Sequence, residues 1–233
     1  MFFEETFHPG LSDFDESGRL SFRSVFEAFE NAGGHHSDAA RDSIIGEHKG
    51  AVWIIYDWRV RLISRPRVSE PMLVTTWTGG KTPSSSVFRD FTLKTKDGET
   101  AALGEARLCL SDLSSGRLSR ITEGLMNAYS PEQTRVFGDA PEKLRPLNLY
   151  DTEHPFLLRR ADLDFNGHVH NAAYVDIIPE ALPEKVDFSE ARISFLRPLK
   201  YGDAVTVKTA KTPSGYALCA CANGSVCTLF EIK

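Results

Sequence analysis

The chain carries one pattern twice, and that repeat limits what it can fold into. "LISRPRVSEPMLVTTWT" lies over "SFLRPLKYGDAVTVKTA" without a gap, placing Arg65-Pro66 on Arg197-Pro198 at an offset of 132 residues. Upstream, "DFDESGRLSFRSVF" lies over "DLDFNGHVHNAAYV", placing Asp15 on Asp164 at an offset of 149. The difference, 149 − 132 = 17 residues, marks an insertion in the first half around "HHSDAARDSIIGEHKGA". A chain of 233 residues can hold two such small units, each with its own core. Between them, "SPEQTRVFGDAPEKLRPLNLYDTEHP" carries Pro131, Pro141, Pro146 and Pro155 and reads as a linker. The expected division is 1–130, a linker at 131–154, and 155–233.

Within each copy the order is a helix and then long strands. Phe22, Val25, Phe26 and Phe29 fall at i, i+3, i+4 and i+7, one apolar helix face. Ser21 suits its N-cap, Gly33-Gly34 its stop, and a second short helix is expected from Ser37. From Val52 the aromatic and β-branched runs read as strands, with a hairpin turning at Asp97-Gly98. "SGRLSRI" is expected to close that sheet. The second copy repeats the order and ends in a hairpin at Asn223-Gly224. The fold class expected from this order is α+β, an apolar helix followed by long antiparallel strands in each copy.

Composition narrows the function classes. A net charge of −5 disfavours nucleic-acid binding and would repel an acidic partner unless a local basic patch offsets it. The start, "MFFEETFHPG", has no basic segment or long apolar core, so a secretory signal is not expected, and no apolar run is long enough to span a membrane. Cys109, Cys219, Cys221 and Cys227 lack zinc-type spacing and are expected to be buried free thiols in a reducing cytoplasm.

The copies part at one loop. Asp15, Ser17, Gly18 and Arg19 stand where Asp164, Asn166, Gly167 and His168 stand in the second copy. The amide and the imidazole occur only in the second, so one active site per chain is expected. Two readings of the loop compete: a helix start capped by Asp and Asn with a paired histidine, or a catalytic cluster. His170 and Asn171 read as loop-lining and structural. His35 and His36, after a double glycine, are expected to face solvent.

With those residues in view, "LDFNGHVHNAAYVDII" resembles the D-x-N-x-H-V-x-N stretch of the acyl-acyl-carrier-protein thioesterases. The "AFENA" helix, "TTWT", "VFRDF" and "GRLSRI" fall in that family's order, so the resemblance covers most of the chain. It implies a tandem hot-dog fold and hydrolysis of the thioester between a fatty acyl group and the phosphopantetheine arm of acyl carrier protein, ending chain elongation. It implies no metal or organic cofactor. It transfers the catalytic positions to Asp164, Asn166 and His168. One departure stands out: where the family often carries Glu, this chain has Pro198 or Leu199, and no cysteine nucleophile lies nearby.

Thioester hydrolysis needs an activated water and a stabilised oxyanion. His168 can exchange protons near neutral pH, and Asp164 can orient it or act as the base itself. The backbone amides of Gly167 to Val169, at an expected helix N-terminus, suit an oxyanion, and Asn166 suits the carbonyl oxygen or the water. Phe22, Phe26, Phe29, Trp53, Trp58 and Trp77 are either tunnel lining or plain core, core being the commoner use. Arg59, Arg61, Arg65 and Arg67, with Arg197 and Lys200 in the other copy, are the candidate docking cations for an acidic carrier. The competing functions are a coenzyme A thioesterase of the same fold and a non-catalytic acyl-binding protein. The repeat is compatible with a monomer or a homodimer.

Overall fold

A computed structural model describes residues 1–42, 50–67, 70–79, 85–112, 114–139, 142–164 and 166–233. The chain divides into two units, Met1–Ala140 and Pro141–Lys233.

The first unit contains β1 (Phe3–Phe7), α1 (Phe22–Ala40), β2 (Ala51–Leu62), β3 (Met72–Thr78), β4 (Ser86–Lys94), β5 (Thr100–Asp112), β6 (Leu118–Ser119) and α2 (Glu123–Tyr129). Its antiparallel sheet runs β1-β3-β4-β5-β2, with β6 paired to β5. Ser21 caps α1 by accepting the Ser24 N–H at 3.0 Å. The helix buries Phe22, Val25, Phe26, Phe29 and Ala32 against the sheet. Phe26 meets Trp58 at 4.7 Å between ring centroids, Trp58 meets Phe91 at 5.0 Å, and Phe91 meets Phe29 at 5.2 Å. Gly104 admits this approach, because a Cβ there would lie 2.6 Å from the Phe29 ring. Each buried Phe contributes roughly 1.5–3 kcal/mol, so this stripe decides which face of the sheet becomes the core. Most of the aromatic set is therefore core, while Trp53 is half-buried and donates to Asp42 at 2.7 Å.

The helix does not stop at Gly33-Gly34. It continues to Ala40, absorbing the short helix expected from Ser37, and ends at Arg41 with φ 54. Tertiary contact overrides the glycine signal here, since Arg89 of β4 donates to the Gly33 carbonyl and His36 of the next turn is buried.

The second unit contains β7 (Thr152–Phe156), α3 (Ala173–Ala181), β8 (Glu190–Phe195), β9 (Val205–Thr212), β10 (Gly215–Ala222) and β11 (Ser225–Ile232). The antiparallel order is β8-β11-β10-β9-β7. Asn223 and Gly224, both at positive φ (52 and 75), make the expected tight turn between β10 and β11. Helix α3 buries Ala173, Tyr174, Val175, Ile177, Ile178 and Ala181. Each unit is thus a helix packed on a curved antiparallel sheet, the hot-dog arrangement, repeated along the sequence.

Strand pairing corrects the alignment of the repeat by one residue. In the first unit Phe3 pairs with Thr76 and Phe7 with Met72; in the second Thr152 pairs with Thr209 and Phe156 with Val205. The first strands are offset by 149 residues and their partners by 133, not 132. The insertion is then 149 − 133 = 16 residues. Buried Met72 and Val74 correspond to buried Val205 and Val207, whereas an offset of 132 would invert every side chain along the strand. The Arg-Pro match in sequence was a coincidence of composition. Pro66 corresponds to Leu199, and Arg65 corresponds to Pro198.

Part of the stretch read as linker is structured. Phe91 faces α1, so its neighbour Asp90 points to the other face of the sheet. Over that face Glu132 donates its N–H to Thr78 O at 3.0 Å, Trp77 donates to Thr134 O at 2.8 Å, and Phe137 is buried. In the second unit β7 already begins at Thr152.

Candidate active site

The loop that distinguishes the copies starts from a 3-10 turn at Arg160–Asp162 and is closed by a bridge between Leu163 and Val169. Asp164 organises it. Its N–H donates to His168 O at 2.8 Å, and its carbonyl accepts the Gly167 N–H at 3.1 Å. Its Oδ1 accepts the N–H groups of Asn166 (2.8 Å) and His168 (3.0 Å), while Asn166 Nδ2 donates weakly to Oδ2 at 3.4 Å. This is the local side-chain-to-backbone bonding that Asp favours in loops. Gly167 sits at φ 74, a conformation a side chain would strain. Val169 donates to Leu199 O at 2.9 Å, and His168 forms an isolated antiparallel bridge with Lys200.

The first unit builds the same loop. Asp15 Oδ1 accepts the N–H groups of Ser17 (2.9 Å) and Arg19 (3.0 Å) and the Ser17 hydroxyl (2.6 Å). Its N–H donates to Arg19 O at 2.8 Å, Gly18 returns a bond to Asp15 O at 2.8 Å, and Leu20 donates to Pro66 O at 2.9 Å. Gly18 has φ 71, matching Gly167. The aspartate is therefore common scaffold, and only its passengers differ.

One further contact separates the two loops. Arg65 Nη2 donates to Asp15 Oδ2 at 2.6 Å. The corresponding residue in the second unit is Pro198, and among the described residues no guanidinium meets Asp164. Burial pushes the Asp15 carboxyl up, but the Ser17 hydroxyl, the Arg19 and Ser17 N–H groups and the Arg65 charge outweigh it and hold the pKa at about 2. For Asp164, burial again pushes up. The N–H groups of His168 and Asn166, the Asn166 amide and the His168 charge outweigh that and hold it below the usual carboxylate range.

The site residues read from sequence lie together, with two corrections. Asn166 is exposed and His168 half-buried, and no hydrogen bond ties the His168 ring to Asp164 among the described residues. The aspartate thus hydrogen-bonds the backbone that carries the imidazole and meets the ring through charge alone. The Gly167 and Val169 amides are both spent, on Asp164 O and Leu199 O, so they do not offer the oxyanion pair expected of them. The helix N-terminus is not at Val169 either. Helix α3 begins at Ala173, after His170 Nδ1 has accepted the Ala172 N–H at 3.3 Å.

At the family's Glu position there is no carboxylate: Pro198 is exposed and Leu199 fully buried. The four cysteines are free. Burial pushes the Cys219 thiol up to about 12 and raises Cys109 and Cys227, the opposite of an activated nucleophile. Among the described residues, no group of three or more His, Cys, Asp and Glu is arranged to hold a metal ion.

The expected basic patch shrinks. Arg59 donates to Asp139 at 2.9 Å, and the Arg59 and Arg61 guanidinium carbons lie 4.1 and 5.1 Å from the Phe137 ring centroid. Arg65 is committed to Asp15 and to Leu20 O. These three hold the first unit together. Exposed cations remain at Arg67, Arg197 and Lys200. Arg67 also bonds Ser17 O at 2.7 Å, and Arg197 bonds Ser225 Oγ at 3.0 Å.

His36 is a further correction. It is 1% exposed, stacked on Phe3 at 5.3 Å and edge-on to Tyr129 at 5.1 Å, and neither ring nitrogen has a hydrogen-bond partner among the described residues. His35 does face solvent and meets Glu5 at 2.5 Å. Sequence reasoning also missed the buried pair Asp90 and Glu105, opposite each other on β4 and β5 and both met by Arg135. Burial raises both carboxyls despite that cation. Two acidic residues inside apolar strand runs were the available signal.

Residues 1–129 match the profile of the acyl-ACP thioesterase N-terminal domain, and residues 148–231 match that of the C-terminal domain. Oleoyl-acyl carrier protein thioesterase 2, chloroplastic, of Arabidopsis thaliana is 25% identical over 179 residues, 70% of this chain and 48% of that protein. The match therefore spans about half the length of that relative. The 12:0-ACP thioesterase from Umbellularia californica superposes with a TM-score of 0.85 at 21% identity, covering 100% of this chain and 96% of that one. An acyl-ACP thioesterase from Bacteroides thetaiotaomicron gives 0.85 at 17% identity, covering 99% and 96%. At such identities the superpositions establish the fold.

Proposed function

The chain belongs to the acyl-ACP thioesterase family, and from that premise we propose that it hydrolyses fatty acyl-acyl-carrier-protein thioesters, releasing free fatty acid and carrier and ending chain elongation. The observation that carries the assignment of the site is the contrast between two matching loops. Both are folded by an aspartate, and only the second adds Asn166 and His168 and omits the arginine.

His168 is the general base. Its half-buried ring takes a proton from water, which attacks the thioester carbonyl carbon. Asn166 is exposed beside it, and its amide donates to the oxygen that becomes negative in the tetrahedral intermediate, the role the occupied Gly167 and Val169 amides leave vacant. Collapse breaks the carbon–sulfur bond, and the imidazolium returns its proton to the leaving phosphopantetheine thiolate. Asp164 holds the loop in shape: a carboxyl held low and bonded to two backbone N–H groups is a poor base. The acidic carrier is met by the exposed cations Arg197 and Lys200 of the second unit. Free acid released from the same acyl group on carrier and on coenzyme A tests the assignment. Preference for the coenzyme A thioester, or binding without turnover, would overturn it.

A further inference from the structure

Tyr174 on α3 is 1% exposed and Leu199 0% exposed, and the Leu199 N–H donates to the Tyr174 hydroxyl at 3.0 Å. Leu199 is also the residue whose carbonyl takes the Val169 N–H at 2.9 Å, and its neighbour Lys200 forms the bridge to His168. The hydroxyl is thus two hydrogen bonds from the residue that follows His168.

The first unit lacks both halves of this contact. By the offsets of 149 and 133, Tyr174 corresponds to Val25 and Leu199 to Pro66, so there is neither a hydroxyl nor an N–H. A buried N–H without an acceptor is costly. Proline removes that cost in the first unit, where the loop carries no imidazole. The second unit instead keeps the N–H and ties it to the helix. The Tyr174 hydroxyl both satisfies that donor and joins the loop to α3.

We infer that Tyr174 is a positioning residue for His168, clamping the Leu199–Lys200 backbone to α3 and so setting where the imidazole is presented. The inference rests on the reading of His168 as the base. Tyr174→Phe removes only the hydroxyl and keeps the ring that meets Phe195 at 5.1 Å. It should lower kcat about tenfold, as small displacements of a catalytic group do, and leave KM for an acyl-carrier substrate within about twofold. In a His168→Ala background the same change should have no further effect, because the two act as a unit.

The pH titration of the His168 ring, followed by NMR, should also shift in Tyr174→Phe. Should that variant not fold, Leu199→Pro, which deletes the N–H using the residue of the first unit, should show the same kcat loss and titration shift. Wild-type kcat with an unshifted titration, or equal losses in both backgrounds, would overturn the inference. An inactive wild-type protein would sink the hydrolase reading instead, while the titration would still decide the role of Tyr174.

Discussion

Arg65 Nη2 lies 2.6 Å from Asp15 Oδ2, and this ion pair, between side chains 18% and 24% exposed, has no counterpart at Asp164 among the described residues. A cation that locks the aspartate suits a loop that only has to hold its shape. Arg65→Ala should therefore cost stability, roughly 1.5–3 kcal/mol for a hydrogen bond to a charged group, and leave kcat near wild type. The contribution has a defined pH window. The Asp15 pKa falls from 3.8 to about 2 on folding, so the stabilisation is present above 3.8 and lost as pH falls towards 2. Denaturant melts of wild type and Arg65→Ala should draw closer at the acid end, leaving the pH-independent difference made by the Arg65 bond to Leu20 O.

At the proposed site, His168→Ala should lower kcat at least roughly 100-fold, the lower range for losing a general acid–base group. Asp164→Ala should do the same by releasing the loop.

Asp164→Asn separates scaffold from base. An amide oxygen can still accept the Asn166 and His168 N–H groups, so this variant should retain far more activity than Asp164→Ala. Were Asp164 the base, the two would be equally dead, which steady-state kinetics on one acyl-carrier substrate would reveal.

Carrier docking should divide the six cations. Reversing Arg197 and Lys200 together should raise KM for the carrier-linked substrate and spare a short coenzyme A thioester. Reversing Arg59 or Arg61, which hold Phe137, should lower Tm instead. An equal effect of the Arg197 and Lys200 changes on both substrates would reject docking.

Buried His36 makes acid sensitivity a property of the first unit. Burial, then the Arg89 and N-terminal charges, lowers its pKa from 6.5 to about 4. The unfolded chain therefore binds the extra proton first. Stability is full above 6.5 and declines as pH drops through 6.5 towards 4, by about 3 kcal/mol at most. His36→Phe should flatten that decline, measured as Tm between pH 7 and 4.5. A wild-type-like slope in the variant would show that another group dominates.

Much of this architecture was legible in the residues because it is local. The i, i+3, i+4, i+7 stripe of α1, the Ser21 cap and the Asn223-Gly224 turn involve neighbours a few positions apart, and each formed where the spacing placed it. The fate of His36 was not legible, because it depends on Phe3 and Tyr129, far away in sequence. The glycine pair misled for the same reason, since Arg89 of β4 reaches the helix there.

Side-chain identity and short-range spacing are written directly in the chain, and they suffice to show that the unit occurs twice and that one copy of a shared loop carries Asn166 and His168. Contacts between distant segments set the register between the copies, which aligns Pro198 rather than an arginine with Arg65; they also spend the Gly167 and Val169 amides inside the protein and tie Arg59, Arg61 and Arg65 into the first unit. Hydrogen-bonded pairing between distant strands sets that register, and a slip of one residue, invisible to composition, turns every side chain to the opposite face.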